Sequence, residues 1–264
     1  MKIVCLNAWG GARYTELVQW LCETKADVFC FQEVTHTPDL VGWTRFEDSE
    51  RVLPQRASLF GDLKNALPDH QGFFLSCDAG PVNDSTGTVH RQDFGLAMFV
   101  HQRLSVIAKQ SDYIHGKFSL HSEWPTSARP RIASSVQVFD HDSNRIIAVT
   151  HLHGLRDAAG KGDTPARLQQ AKRLADSVKR IGSEADFSVV CGDFNVLPDS
   201  ETFRILSDVG FTDLVGTQDT RTELYTKPLR HANYMLVSDP GAVEEFSIPA
   251  KPVVSDHRFM VLVV

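Results

Sequence analysis

The stretch Ser188-Val189-Val190-Cys191-Gly192-Asp193-Phe194-Asn195 compresses a buried strand and a chemical site into eight residues. The apolar run is rich in Val and ends at Gly192, the pattern of a strand covered on both faces. Gly192 gives the backbone room to turn. Asp193 and Asn195, two apart in an extended geometry, then point into one space. A carboxylate and an amide at a strand's carboxyl end suit a phosphate or a metal, although turns also favour Gly, Asp and Asn for local reasons.

The same arrangement recurs along the chain. Residues 2–6 deliver Asn7; residues 28–31 deliver Gln32 and Glu33; residues 145–150 deliver His151, with His153 two further on. Val253 and Val254 run into Ser255-Asp256-His257, followed by a last strand over 259–264. In open α/β sheets ligands bind beyond the carboxyl ends of strands, so this collection of amides, carboxylates and imidazoles predicts a catalytic cleft.

A chain of 264 residues with 42% hydrophobic content fits one large α/β domain over 1–264 with a sizeable core. No apolar run approaches a membrane span. The N-terminal segment is too short for a secretory signal and reads as the first strand. Five cysteines form an odd set with no Cys-x-x-Cys pair, which predicts reduced core residues of a cytoplasmic protein. The net charge of −6, with Lys and Arg scattered, gives no footprint for tight nonspecific nucleic-acid binding. A local basic patch can still form in the fold. Nothing in the chain fixes an oligomeric state.

Between the motifs, Thr15 is expected to cap a helix over 16–22, residues 37–49 to form a loop, and 51–67 a helix with an early Pro54. A strand is expected over 73–77, then a substrate-facing loop over 78–93 that is rich in Gly, Pro, Asn, Ser and Thr. Further strands read at 94–100, 104–108 and 132–139. The clearest helix is 165–181: Thr164 caps, Pro165 opens, and Leu168, Ala171, Leu174, Ala175, Val178 and Ile181 repeat at helical spacing. A short helix follows over 200–208. The loop 220–227 packs hydroxyls, the cations Arg221 and Lys227 and the aromatic Tyr225 together, and is expected to line the pocket.

Taken in order, Asn7, Gln32-Glu33, Thr150-His151-Leu152, Gly192-Asp193-Phe194-Asn195 and Ser255-Asp256-His257 resemble the endonuclease/exonuclease/phosphatase superfamily of metal-dependent phosphoesterases. The motifs run from residue 7 to residue 257, so the resemblance covers nearly the whole chain. It implies an α/β fold of four layers, two mixed sheets packed face to face with helices outside. It also implies hydrolysis of a phosphate mono- or diester by in-line attack of water, since no Ser or Cys has a nucleophile's setting. The acidic charge favours a small molecule or lipid headgroup as substrate, with a nuclease as the alternative.

Within that resemblance, Glu33 and Asp256 are hard oxygen ligands for Mg²⁺ or Mn²⁺, with Asn7 beside them. Asn195 orients ligands or the attacking water; Asp193 either activates that water or protonates the leaving group. His151 and His257 stabilise the phosphorane or move a proton, with His153 a second choice because the motif histidine follows Thr150 directly. Arg131, chosen over Arg129, is expected on the phosphate. One departure stands out: the family's histidine-orienting Asp-Tyr pair is Asn233-Tyr234 here. An amide cannot stabilise an imidazolium as a carboxylate does, so a catalytically impaired binding module is a third reading.

Overall fold

Period-two alternation in the first strand sets the layers. In β1 (Lys2–Asn7) Ile3, Cys5 and Asn7 point one way and Val4 and Leu6 the other; the parallel β2 (Val28–His36) aligns Cys30 with Cys5 and Gln32 with Asn7. Val4, Leu6, Phe29 and Phe31 pack with Leu17 and Trp20 of α1 (Tyr14–Glu23) and with Leu59 and Leu63 of α2 (Leu59–Ala66). Ile3, Cys5, Val28 and Cys30 instead join Val149, Val189 and Cys191 of a second sheet in the larger core. The computed structural model describes residues 1–264.

The remaining strands are β3 (Trp43–Glu47), β4 (Val52–Arg56), β5 (His70–Asn83), β6 (Val89–His101), β7 (Ser105–His115), β8 (Arg131–Asp140), β9 (Arg145–His153), β10 (Phe187–Asp193), β11 (Thr212–Asp213), β12 (Asn233–Val237), β13 (Glu245–Ser247) and β14 (Met260–Val263). They form sheets of order β13-β14-β1-β2-β6-β5-β3-β4 and β11-β12-β10-β9-β8-β7. With α3 (Pro165–Ile181) and α4 (Glu201–Ser207) against the second sheet, the order is helices, sheet, sheet, helices, the expected four-layer α/β sandwich. Each sheet holds one parallel pair, β1 with β2 and β9 with β10, and the carboxyl ends of the two pairs meet.

Several local expectations fail for physical reasons. Residues 51–67 are not one helix: Asp48 accepts from the backbone N–H of Glu50 and Arg51 at 2.9 and 2.8 Å, closing a hairpin that makes strands of β3 and β4. Pro54 is tolerated because β4 is an edge strand. The 78–93 segment is not a loop either; β5 and β6 pair along it as far as Asn83 and Val89, and Asp84 holds the turn through Thr86 and Thr88. Cys5, Cys30, Cys77 and Cys191 are buried free thiols, but Cys22 is exposed. No helix is long and apolar enough to cross a membrane.

Helix α3 runs from Pro165 to Ile181 as its spacing predicts, with the Thr164 hydroxyl accepting the Arg167 N–H. Leu168 departs from the stripe and is 37% exposed, while Leu174 is 1% exposed in the core. Leu174→Ala should therefore cost about 2–5 kcal/mol in urea unfolding, and Leu168→Ala about 0.5 kcal/mol or less. Equal costs would contradict this placement of the helix.

Candidate active site

The first carboxylate reaches the cleft through a bulge. Register between β2 and β6 shifts between Phe31 and Val34, and Glu33 takes a left-handed φ of 55°. The kink separates neighbours: Gln32 turns inward, bonding the Cys30 carbonyl at 3.3 Å, while Glu33 lines the cleft. Asn7 then spans both sheets, its amide nitrogen donating to Glu33 Oε1 at 3.1 Å and Asp193 Oδ2 at 3.0 Å. Its oxygen accepts the Trp9 N–H at 3.0 Å, so in this structure Asn7 is a donor that aligns the two carboxylates.

The two histidines of β9 exchange positions relative to expectation. Both lie on the same face, His151 level with Cys191 and His153 level with Asp193. The strand runs on past His151, so that residue ends up one layer below the cleft, fully buried, with Nδ1 3.3 Å from the Gln32 amide and Nε2 without a partner. Burial alone drives its pKa down to about 3, so it is a neutral core imidazole. His153 lines the cleft instead, with Nε2 3.8 Å from both Glu33 and Asp193.

Asp193 closes β10, and Asn195 follows through a left-handed φ of 56°. Asp193 Oδ1 accepts the Asn195 N–H at 3.1 Å, and the Asn195 amide donates to the Gly154 carbonyl at 3.2 Å. Glycine is required at 154: a Cβ there would lie 2.1 Å from the Phe194 carbonyl oxygen.

At the opposite wall, His257 Nδ1 is 2.6 Å from Asn233 Oδ1, and the Asn233 amide nitrogen points to the Arg258 carbonyl at 3.4 Å. That carbonyl fixes the amide's orientation, so Asn233 accepts from a neutral His257 protonated on Nδ1. His257 Nε2 lies 3.5 Å from Asp193 and in close contact with Arg221. Burial, then the charges of Arg221 and Lys161, hold His257 well below its usual pKa. Arg221 also pairs with Asp256 at 2.8 Å and lies 4.0 Å over the Tyr225 ring.

Glu33, His153, Asp193, Asn195, Arg221, Tyr225, Asp256 and His257 line a cavity of about 590 Å³ that also takes in Arg131, Lys227 and Trp9. Arg129 is bound bidentately by Asp78 at 2.7 and 2.8 Å and lies against the rings of Phe94 and Trp124. Arg131 is 4% exposed and has no hydrogen-bond or ion-pair partner in the protein. Two contributors carry no sequence motif. Lys161 donates to the His231 carbonyl, and burial pushes its pKa down to about 8 against the opposing charge of Asp193. Arg167 donates to the carbonyls of Leu155, Gly160 and Gly162 and so fixes the loop that carries Lys161.

The donor set fits a divalent cation. One ligand atom each from Glu33, His153 and Asp193 lies within 4.8 Å of the others. Asp256 is pushed up to about 7 by burial and by the charges of Glu33 and Asp193, against the pull of Arg221. A largely enclosed carboxylate that resists ionisation beside two more belongs to a site that gains by binding a cation. Because Asp256 must lose its proton to act as ligand, Mg²⁺ affinity should rise as pH increases through about 7, with proton release on binding below that pH. Calorimetry in buffers of different ionisation enthalpy checks this; pH-independent binding without proton release would remove Asp256 from the site.

Asn233→Asp should raise the pKa of His257 by placing a negative charge on its Nδ1–H. Imidazole chemical shifts followed against pH measure it, and an unchanged titration would contradict the 2.6 Å contact.

The endonuclease/exonuclease/phosphatase family model matches residues 4–257. No curated protein sequence matches the chain. Among solved structures, it is similar to a mannosyl-6-phosphatase of Bacteroides thetaiotaomicron at TM-score 0.70 and 16% identity, covering 99% of this chain and 98% of that one. The human Nocturnin catalytic domain with bound sulfate matches at TM-score 0.64 and 17% identity over 99% and 93% of the two chains. TDP2 of D. rerio in complex with a single-strand DNA product matches at TM-score 0.65 and 16% identity over 99% and 97%. Identities this low carry the fold alone, whereas the family model spans nearly every strand that feeds the cleft. The chain belongs to the endonuclease/exonuclease/phosphatase family.

Proposed function

We propose that the cleft hydrolyses a phosphate ester of a small molecule or lipid headgroup by direct attack of water, with Mg²⁺ or Mn²⁺ as cofactor. The observation that carries this reading is Arg131, a buried guanidinium without a partner that lines the same cavity as Glu33, Asp193 and Asp256. A buried cation left unpaired is costly, and a phosphate satisfies it through two parallel hydrogen bonds. The cavity volume of about 590 Å³ falls within the rough 300–1,000 Å³ range of small-molecule pockets.

Glu33 and Asp256, with Asp193 and His153 within reach, would hold the cation, which when bound supplies Lewis-acid polarisation of the phosphoryl group and charge neutralisation. Arg131 binds two phosphoryl oxygens. Asp193, aligned by Asn7 and the Asn195 N–H, takes the proton of the attacking water. Asn195 and the neutral His257 orient that water, and Arg221 steadies Asp256. Tyr225 and Lys227 meet the alcohol portion of the substrate. Asn233 leaves His257 oriented, which favours an enzyme over a binding module.

A second reading, cleavage of DNA or RNA, is favoured by the cations that rim the cleft. Of these, Arg51, Arg129 and Arg156 are already paired with Asp48, Asp78 and Glu50, so little of the rim is free for a polyanion. A substrate panel separates the two. Small phosphate esters should be hydrolysed in a Mg²⁺-dependent, chelator-sensitive manner, and Arg131→Met should lower kcat/KM by roughly 10–100-fold, the loss of one to two charge-assisted hydrogen bonds. Faster cleavage of a labelled oligonucleotide than of every small ester would favour the nuclease.

A further inference from the structure

We propose that the cleft is built for a dianionic phosphate monoester in preference to a monoanionic diester, and that Lys161 sets this preference. The inference rests on the phosphoesterase reading and narrows its substrate class. Of the charged groups that line the cleft, Arg51, Arg129 and Arg156 are paired with carboxylates, Arg167 is bound to backbone carbonyls and Lys227 is exposed, which leaves the carboxylates of Glu33, Asp193 and Asp256 and the cations Arg131, Lys161 and Arg221 around the reacting end. These formal charges cancel. His257 adds none, since its Nδ1–H goes to Asn233 Oδ1 and its Nε2 faces the Arg221 guanidinium, and His153 adds none because an imidazole ligates a cation in its neutral form. A divalent cation at the carboxylates therefore leaves a net charge of about two positive units, which complements the two negative charges of a monoester. Without Lys161 the excess falls to about one, the complement of a diester.

Geometry singles out Lys161 among the three cations. Arg221 is committed to Asp256 and Tyr225, and Arg131 serves the two unesterified oxygens that monoesters and diesters share. Lys161 is partly buried, pairs with no carboxylate, and uses one of its three N–H groups on the His231 carbonyl. It lines the same cavity as Asp193, Asp256 and His257, and its bond to the His231 carbonyl ties the ammonium to the segment that leads into Asn233. Its position is also enforced: Arg167, 1% exposed, donates to the carbonyls of Leu155, Gly160 and Gly162 at 3.1, 2.6 and 2.5 Å. A rigid loop presenting an ammonium with free donors offers a partner to the third phosphoryl oxygen. In a diester that oxygen carries a carbon substituent and no charge.

The test is calorimetric titration of the Mg²⁺-loaded protein with inorganic phosphate and with dimethyl phosphate, at about pH 7.5, where inorganic phosphate is mainly dianionic. Wild type should bind inorganic phosphate about tenfold or more tightly than dimethyl phosphate, the worth of one charge-assisted hydrogen bond. Lys161→Met should shrink that ratio to about threefold or less, and Lys161→Arg, which keeps the charge and guards against a merely misfolded loop, should largely preserve it. Equal affinities in wild type, or an unchanged ratio in Lys161→Met, would overturn the proposal. Parallel assays with p-nitrophenyl phosphate and bis(p-nitrophenyl) phosphate separate the two levels of the argument. Turnover of the diester at or above the rate of the monoester overturns the monoester preference and keeps the hydrolase. Lys161-dependent phosphate selectivity without turnover of either ester overturns the hydrolase and keeps the dianion site.

Discussion

The amide of Asn7 joins the two sheets at the one place where their strand ends meet. One N–H goes to Glu33 on its own sheet and the other to Asp193 on the facing sheet, while the Trp9 N–H fixes the amide oxygen. Two carboxylates that would repel each other are thereby held at a common donor, and both are pre-aligned before any cation arrives. The bulge at Glu33, the stop of β10 at Asp193 and the parallel pairing of β1 with β2 and β9 with β10 all serve that meeting point. Changing Asn7 to an apolar residue would leave the buried Asp193 and the partly buried Glu33 facing each other without a bridging donor.

Around that point the protein arranges charge in two tiers. Outer cations are closed off within the protein: Arg129 by Asp78 and two aromatic rings, Arg51 by Asp48, Arg156 by Glu50. Inner groups are left in tension, with Asp256 resisting ionisation, His257 resisting protonation and Arg131 without a partner. Tension of this kind is what a cation and an anionic substrate relieve together, and it explains how a chain of net charge −6 presents a cleft suited to phosphate.

The strand ends and their chemistry were legible because an apolar run followed by a polar residue is a short-range signal. Asp193, Asn195, Asp256, His257, Arg131, Arg221, Tyr225 and Lys227 all line one cavity. His151 and His153 could not be told apart by alternation, since residues two apart share a face; the point at which β9 crosses the cleft floor decides between them, and that is a property of packing. Lys161 was out of reach for a different reason: the loop that carries it is fixed by Arg167, and no spacing in the sequence links that pair. In the 51–67 segment the hairpin closed by Asp48 outweighed the helical pattern, a case of tertiary pairing overriding local preference.

The central claim, that these strand ends form one divalent-cation site, is tested most directly by anomalous diffraction from crystals grown with Mn²⁺. The account predicts a single strong anomalous peak within coordinating distance of Glu33 and Asp256, with Asp193 or His153 completing the protein ligands. A cleft without a peak, or manganese held only by carboxylates elsewhere such as Asp84 in its exposed turn, would contradict it.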